Sequence, residues 1–188
     1  SFRWNRIINQ NTFVNTVFIA SIYQYRLFLS NNIWRSNIAI ASFKSDFTYY
    51  PRPDVKVNYG FNFSNHAFDP GSLTLNGNSI FLPSVTYGKS REFDLYAKGE
   101  HQLNDRISYA AGFRMPFWIN TGPTTLYLYD ENYQLKDTVH VANNVSYKSF
   151  VNLDPRLSLT YRLDSFSSFK FSYGSYHQYI HLLSNSTS

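Results

Sequence analysis

Residues 146–186 read SYKSFVNLDPRLSLTYRLDSFSSFKFSYGSYHQYIHLLSNS, and this stretch predicts two alternating β-strands joined by one polar turn. On the first arm, apolar side chains occupy most odd positions from 151 to 163, and polar side chains occupy the even positions from 152 to 162. After a turn at residues 164–168, the second arm alternates aromatic rings at 169, 171 and 173 with Lys170, Ser172 and Gly174. A period of two puts the two sets on opposite faces of a sheet. We predict that both arms exceed the usual strand length of about 5 to 6 residues.

The rest of the chain predicts five further strands, at residues 12–29, 36–50, 55–64, 90–103 and 107–118. The alternation is clearest in residues 55–64, where Val55, Val57 and Tyr59 are separated by single polar or small residues. It is weakest in residues 12–29, where both registers carry apolar side chains. There the odd register is the more apolar one, so we expect the even register to form the polar face. The total is seven principal strands.

The connections between these strands differ in length. Short turns are predicted at residues 51–54, where Pro51 and Pro53 cannot donate to a ladder, at 104–106 and at 164–168. Longer links are predicted at residues 69–87 and 119–146, and the second of these could hold a hairpin of its own. A short link at residues 30–32 breaks the alternation of short and long. Short turns on one side and longer loops on the other are typical of outer-membrane barrels.

The composition is unusual for a soluble domain. Aromatic residues make up 19% of the 188 residues, whereas charged residues make up 15% against a usual value of about 25%. An outer-membrane barrel has room for so many rings, because its outer wall contacts lipid. No run of 18 apolar residues is present, so a transmembrane helix is excluded. The net charge of +5 comes from scattered single residues, which argues against nucleic-acid binding.

The strand pattern and the composition together predict an all-β, antiparallel up-and-down transmembrane β-barrel. A soluble β-sandwich would not need strands of 12 to 18 residues, and no stretch has the period of a helix. The opening sequence SFRWNRIINQ does not have the pattern of a signal peptide. Seven strands cannot form a closed, even-numbered barrel, so we expect this chain to be a piece of a longer protein.

Several short segments match one family in order along the chain. They are FTYYPRP at 47–53, HAFDPG at 66–71, Tyr96 followed by LNDRIS at 103–108, LDPRLS at 153–158, and the more distinctive KFSYGSYHQYIHLLSNS at 170–186. Together they resemble an internal part of the β-barrel of TonB-dependent outer-membrane receptors of the Bacteroidetes type.

The resemblance implies a fold, a place and a function. Residues 1–188 would be a single segment of about seven long strands from a larger barrel of the 22-stranded type, located in the bacterial outer membrane. The plug, the TonB box and the C-terminal strands of the family are not found in this sequence. The whole protein would import a bulky nutrient, without being an enzyme and without a cofactor. Its implied partners are outer-membrane lipid, TonB and the plug domain through other parts of the protein, a surface lipoprotein, and the unknown nutrient.

Two other functions stay open from the residues alone. One is an outer-membrane barrel with a structural or adhesive role and no energy coupling. The other is a soluble all-β binding module. A plug domain in the full-length protein would favour the receptor over the first alternative, and dependence on detergent for solubility would exclude the second.

Five polar residues fall on the registers that would face the barrel lumen: Asp154, Arg156, Arg162, Lys170 and Gln178. They could contact the plug or a passing ligand, or they could simply hydrate the inner wall, as any large barrel requires. On the other register, Leu157, Leu159 and Phe171 would face lipid. The turn at residues 164–168 would lie at the periplasmic rim.

Two further sets of residues suggest chemistry but have simpler explanations. Glu92, Asp94, Lys98 and Glu100 share one register, and a salt-bridged polar lumen explains them better than an acid–base pair. His177 and His181 would lie about 13 Å apart on a strand, which is too far to chelate one metal ion.

Pro155 conflicts with its predicted position inside a strand, because proline cannot donate to a ladder. It requires a bulge or a local gap in strand pairing, and Pro116 raises the same problem less sharply.

Overall fold

The computed structural model describes residues 1–29, 32–75, 78–81 and 88–179, and the described chain is all-β. Its strands are β1 (Phe2–Asn9), β2 (Thr12–Leu29), β3 (Asn32–Arg52), β4 (Val55–Leu75), β5 (Asn78–Phe81), β6 (Gly88–Gln102), β7 (Ile107–Thr121), β8 (Thr124–Tyr129), β9 (Leu135–Val141), β10 (Ser146–Val151), β11 (Asp154–Arg162) and β12 (Ser168–Gly174). Every strand pair is antiparallel.

One up-and-down sheet contains ten of these strands. Its strand order is β1-β2-β3-β4-β6-β7-β11-β12. Apart from β5, β8, β9 and β10, each strand therefore lies beside the next one along the chain. β5 pairs with the end of β4, β10 pairs with β7 ahead of β11, and β8 and β9 form a separate hairpin. Among the described residues the sheet is open, with β1 and β12 as its edges.

Strand pairing divides the side chains into two faces. Directly paired residues in an antiparallel sheet point to the same side. One side, which we name the polar face, includes the paired series Lys44, Asn62 and Asp94. The opposite side, the apolar face, carries one phenylalanine on each of six neighbouring strands, all in a single cross-strand row. This phenylalanine row consists of Phe2, Phe18, Phe43, Phe63, Phe93 and Phe117.

Burial on the two faces is the reverse of that in a soluble sheet. Asp94 and Asp154 on the polar face are 3% and 0% exposed, whereas Phe43 and Phe171 on the apolar face are 41% and 61% exposed. The sheet curves toward its polar face, since polar-face residues on strands from β3 to β12 line one groove of about 1020 Å³. The phenylalanine row therefore lies on the outer, convex side.

Several predicted connections are confirmed. β3 ends at Arg52 and β4 begins at Val55, β6 and β7 are joined through residues 103–106, and β11 and β12 through residues 163–167. The hairpin expected within residues 119–146 is β8 and β9. Of the link at 30–32, residues 30 and 31 lie outside the described residues, and Leu29 pairs with Asn32 on either side of them.

The predicted strand count and one predicted loop are wrong. β1 pairs with β2 along residues 2–9, so the sheet has eight positions and not seven. The loop expected at residues 69–87 is partly strand, because β4 continues to Leu75 and β5 folds back on it. The reason is backbone pairing, since β3 is long enough to offer β4 a partner as far as Thr74. Residues 76–77 and 82–87 lie outside the described residues.

The extents predicted for the two arms within residues 146–186 are also wrong, although β11 with nine residues and β12 with seven still exceed the usual strand length. The first arm is divided into β10 and β11 by residues 152–153, and the second arm is a strand of only seven residues. The predicted gap near Pro155 is confirmed, because the break directly precedes Asp154 and Pro155. Pro116 on β7 and Pro155 on β11 both lie beside this break. The Asn152 amide donates to the Pro116 carbonyl at 3.3 Å across it.

The faces of β2 differ from the expectation. Val17 and Ile19, in the more apolar odd register, pair with Lys44 and Ser42 and therefore lie on the polar face. The even register, which was expected to be polar, carries Phe18 to the phenylalanine row. The regular alternation of β3 sets the register, because a shift of one residue would turn every β3 side chain to the other face.

Candidate functional site

The groove on the polar face is a concave feature of about 1020 Å³. Its walls come from β3, β4, β6, β7, β11 and β12, together with Tyr176 just after β12. The alternation of these strands explains the groove, because each of them sends its polar register to this side. Any ligand in it would meet charged, amide and hydroxyl groups as well as apolar surface.

Arg114 is the centre of the buried ionic network at the groove. Its Nη2 donates to Glu92 Oε1 at 2.8 Å and to Asp94 Oδ1 at 2.9 Å. The other Asp94 oxygen accepts a hydrogen bond from Asn62 Nδ2 at 3.1 Å, and the other Glu92 oxygen lies 3.3 Å from His66 Nε2. One cation therefore holds two carboxylates that are close together and largely removed from solvent. Removal of Arg114 would leave two buried negative charges side by side.

A second ionic group extends across a glycine. Tyr96 Oη donates to Asp46 Oδ1 at 2.6 Å, and Lys44 Nζ lies 3.0 Å from the same oxygen. Gly60 is paired with both Asp46 and Tyr96, so the tyrosine ring must cross it to reach the carboxylate. A Cβ atom at Gly60 would lie 2.3 Å from the Ser45 carbonyl oxygen and 2.6 Å from Tyr96 Oη. The absence of a side chain at Gly60 is what allows this contact.

Arg156 lies between two glycines on the polar face. Its direct partners on β7 and β12 are Gly112 and Gly174, and its guanidinium lies 4.7 Å from the centre of the Tyr176 ring. Further toward the short turns, Lys98 and Glu100 form an exposed ion pair at 2.7 Å. At this part of the groove the Arg156 guanidinium therefore lies beside two glycines that have no side chain.

After β12 the chain continues alongside the start of β11 and lies over the polar face. We name residues 175–179 the return segment. The Ser175 amide donates to the Pro155 carbonyl at 3.1 Å, and His177 contacts Asp154 through its amide at 3.3 Å and through Nδ1 at 2.5 Å. Asp154 is therefore completely covered by the segment that it binds.

Tyr179 fixes the end of the return segment by ring stacking. Its ring centre lies 5.5 Å from that of Trp118 and 5.8 Å from that of Phe150, and both rings lie on the polar face. Asn152 Nδ2 donates to Tyr179 Oη at 2.7 Å, and Trp118 Nε1 donates to Asn120 Oδ1 at 2.7 Å. The stacked rings close the loop-side part of the polar face and leave Trp118 only 4% exposed.

A small ionic cluster forms at the turn between β3 and β4. Asp54 Oδ2 lies 3.3 Å from Arg52 Nη2 and 3.0 Å from His101 Nε2. Burial alone would raise the pKa of Asp54, but its backbone hydrogen bond and the contacts with His101 and Arg52 outweigh that effect and lower the pKa. The cluster joins the turn to β6 and favours the ionised carboxylate.

The five predicted site residues occupy different places. Arg156 and Lys170 line the groove, as the lumenal registers would require. Asp154 has the expected face but is buried under the return segment and is not open to a ligand. Arg162 lies on the polar face at the end of β11, and Gln178 lies in the return segment and not on a strand, because β12 ends at Gly174.

The predicted charge pairing on β6 is confirmed only in part. Lys98 and Glu100 form an ion pair, whereas Glu92 and Asp94 are held by Arg114 of β7 and not by Lys98. Arg114 shares the even register of residues 107–118 with Ser108 and Gly112, so the alternation of the sequence contains a signal for this contact. The stacking of Tyr179 on Trp118 had no such signal, because 61 residues separate the two positions in the chain.

Two features are absent from the described ranges. Within residues 1–29, 32–75, 78–81 and 88–179, no three histidine, aspartate or glutamate side chains are grouped so that they could hold a metal ion. His181, the second histidine of the pair considered above, lies outside those ranges. Over the same residues, no helix is long and apolar enough to cross a membrane. No protein-family model and no curated protein sequence matches this chain.

Proposed function

We propose that this chain forms part of the barrel wall of a TonB-dependent outer-membrane receptor that imports a bulky nutrient. The observation that carries the proposal is the inverted polarity of the sheet. Its convex face carries exposed phenylalanine, leucine and tyrosine side chains, and its concave face carries buried charges. A soluble sheet would bury the rings, whereas a barrel wall exposes them to lipid.

Strand length supports the same proposal. A transmembrane β-strand needs about 9 to 11 residues to cross the bilayer core. β2, β3 and β4 contain 18, 21 and 21 residues, and β6 and β7 contain 15 each. Such strands cross the membrane and continue into the aqueous space on the loop side.

The polar groove fits a transport role. Its lining includes Lys44, Arg156 and Lys170, and its residues contact one another mainly through ion pairs and hydrogen bonds. In the proposed barrel this groove faces the lumen, where the plug and the ligand pass. Arg156 and Lys170 would then make polar contacts with one of them, and no bond would be broken.

A pair of neighbouring substitutions tests the assignment of faces. Leu159 lies on the apolar face and Thr160 on the polar face, one residue apart on β11. Leu159→Arg should cost about 2 to 4 kcal/mol of folding free energy in lipid near the bilayer midplane. Thr160→Arg should cost much less, because its side chain enters the polar groove. Folding into lipid vesicles, followed by urea unfolding, measures both, and equal costs would contradict the wall assignment.

Energy coupling distinguishes the receptor from a structural or adhesive barrel. Cells that lack the full-length protein and cells that lack TonB should lose growth on the same nutrient source. The double substitution Arg156→Ala and Lys170→Ala should reduce that growth while the protein remains in the outer-membrane fraction. Growth that requires the protein but not TonB would favour the barrel without energy coupling.

A further inference from the structure

Three carboxylates and one guanidinium lie close together where the return segment lies over the polar face. Glu92 and Asp94 both accept hydrogen bonds from Arg114. Asp154 is paired with Arg114 across β7 and β11, but among the described residues the hydrogen bonds of Arg114 go to the other two carboxylates. One permanent cation therefore serves three carboxylates, and Asp154 is the one that it does not hold directly.

Asp154 finds its partner in the return segment. Among the described residues, both hydrogen bonds to its carboxylate come from His177, from the amide to Oδ2 at 3.3 Å and from Nδ1 to Oδ1 at 2.5 Å. Asp154 is 0% exposed, and an ionised carboxylate that is removed from water needs a positive partner. Within the described chain, the His177 ring is the group in contact with it that can carry this charge.

The charged and titratable groups near this contact come from five strands and from the return segment itself. They are His66 on β4, Glu92 and Asp94 on β6, Arg114 on β7, Lys148 on β10, Asp154 and Arg156 on β11, and Tyr176 and Tyr179. Histidine is the residue type whose charge ordinarily changes between about pH 5 and 8. His66 is buried beside Glu92, whereas 41% of the His177 side chain is exposed and can exchange its proton with solvent.

The same contact determines where two aromatic rings lie. Tyr176 directly precedes His177, its ring centre lies 4.7 Å from the Arg156 guanidinium, and both of these residues line the polar groove. Two residues after His177, Tyr179 stacks on Trp118. Movement of His177 away from Asp154 would therefore uncover the carboxylate and separate the Tyr176 ring from Arg156.

We propose that His177 and Asp154 form a proton-dependent latch that closes the return segment over the polar face. The contact is an ion pair only while the His177 ring is charged. As the pH rises and the ring loses its proton, a neutral ring offers at most a hydrogen bond, and the covered carboxylate becomes costly to keep buried. The latch is therefore closed at lower pH and opens as the pH rises.

This inference rests on the proposed function, because the latch regulates a residue of the proposed contact site. In the closed state one side of the Arg156 guanidinium is occupied by the Tyr176 ring. In the open state the guanidinium is free to bind a carboxylate or phosphate group of the plug or of the nutrient with two parallel hydrogen bonds. Proton loss from His177 thus prepares Arg156 for a polar partner.

Carboxylate labelling of the full-length protein in detergent, with a carbodiimide and glycine ethyl ester and mass spectrometry as the readout, tests the latch. The quantity measured is labelling of Asp154 relative to Asp105, which is exposed between β6 and β7. This ratio should rise by about tenfold or more from about pH 5 to pH 8, because one linked proton changes an equilibrium by up to tenfold per pH unit. Asp94, which is 3% exposed, should stay protected throughout. A ratio that does not change with pH would overturn the proposal.

Substitutions at His177 separate its charge from its hydrogen bond. His177→Gln keeps a donor but never carries a charge, so Asp154 should be labelled at both pH values. His177→Lys is charged at both and should keep Asp154 protected. His101→Gln is the matched control, since His101 also contacts a carboxylate, that of Asp54 at 3.0 Å, but at the turn between β3 and β4. It should leave the pH dependence unchanged.

Three outcomes of these substitutions would contradict the latch. Protection of Asp154 at pH 8 in the His177→Gln protein would show that a neutral hydrogen bond is sufficient. Labelling of Asp154 in the His177→Lys protein would show that charge does not hold the segment. An equal effect of His101→Gln would show that the pH dependence arises elsewhere.

Two more outcomes distinguish this inference from the proposed function. Joint labelling of Asp154 and Asp94 at high pH would show that the sheet itself opens, and would overturn the latch. A full-length protein that is absent from the outer-membrane fraction contradicts the proposed function. An outer-membrane protein whose labelling ratio is independent of pH contradicts only this inference.

Discussion

The sheet contains two regions that are held together differently. In the long-strand region, formed by β2, β3 and β4, pairing with alternating side chains runs almost without interruption. In the corner, formed by β10, β11, β12 and the return segment, two prolines interrupt the ladder and side chains provide the contacts. The comparison teaches that the backbone alone can define a wall where alternation is strict. Where alternation fails, specific side chains must hold the strands.

We expect the largest loss of stability from a substitution at the junction between the two regions. Arg114 on β7 pairs directly with Asp154 of the corner and holds Glu92 and Asp94 of β6. Arg114→Met should lower the free energy of unfolding by about 3 to 5 kcal/mol, because it removes the cation that two buried carboxylates share. Urea unfolding of the full-length protein in lipid vesicles measures the loss.

Arg156→Met is the matched control for that substitution. Arg156 lies on the same face one strand away, and its guanidinium lies over the Tyr176 ring. Its loss should cost about 0.5 to 1 kcal/mol. Equal costs for the two arginines would show that the buried network does not join the regions.

A glycine tests the close packing of the long-strand region. Gly60→Ala should cost about 1 to 3 kcal/mol, because its Cβ would meet Tyr96 Oη and the Ser45 carbonyl. Gly99→Ala on the neighbouring strand is the control, since nothing lies within 4 Å of a Cβ at that position. The same unfolding assay compares them. A neutral Gly60→Ala would mean that the region depends on backbone pairing alone.

The stacked rings test the corner in the same way. Tyr179→Ala removes two ring contacts worth about 0.5 to 1.5 kcal/mol each and should release the return segment. Hydrogen exchange should then rise at residues 175–179 and not in β3. Trp118 fluorescence should shift to the red, because the ring becomes exposed. Unchanged exchange at residues 175–179 would show that His177 and Ser175 hold the segment without the stack.

An exposed ion pair should show the smallest effect. Lys98 and Glu100 are 53% and 40% exposed at the side chain, so Lys98→Met should cost no more than about 1 kcal/mol. A cost comparable to that of Arg114→Met in the unfolding assay would contradict the distinction between buried and exposed charges on the polar face.

The sequence predicted the long-strand region better than the corner for a physical reason. In residues 55–64 apolar and polar side chains alternate strictly, so the period alone predicts both the strand and which side chains lie on each face. In β2 both registers are apolar, and only pairing with β3 decided that Val17 lies on the polar face. β1 is short, and its apolar and polar residues do not alternate clearly. Its place in the sheet is likewise determined by pairing with β2 and not by a sequence period.

The candidate site was predicted at the level of registers but not of contacts. Arg156 and Lys170 line the groove because their alternation was regular. The burial of Asp154 depends on the residues that follow Gly174, where the polar and aromatic sequence does not distinguish a strand from an irregular segment. The phenylalanine row likewise needs the register of five strand pairs, which no single segment contains.

The eight positions of the sheet have a consequence for parity. Because every neighbouring pair on the path is antiparallel, the first and the eighth strands, β1 and β12, run in opposite directions. A wall in which all neighbours are antiparallel closes only with an even total. The number of strands that connect β12 back to β1 in the proposed wall must therefore be even, whatever its diameter. Any arrangement that inserts an odd number would force one parallel pair at a seam.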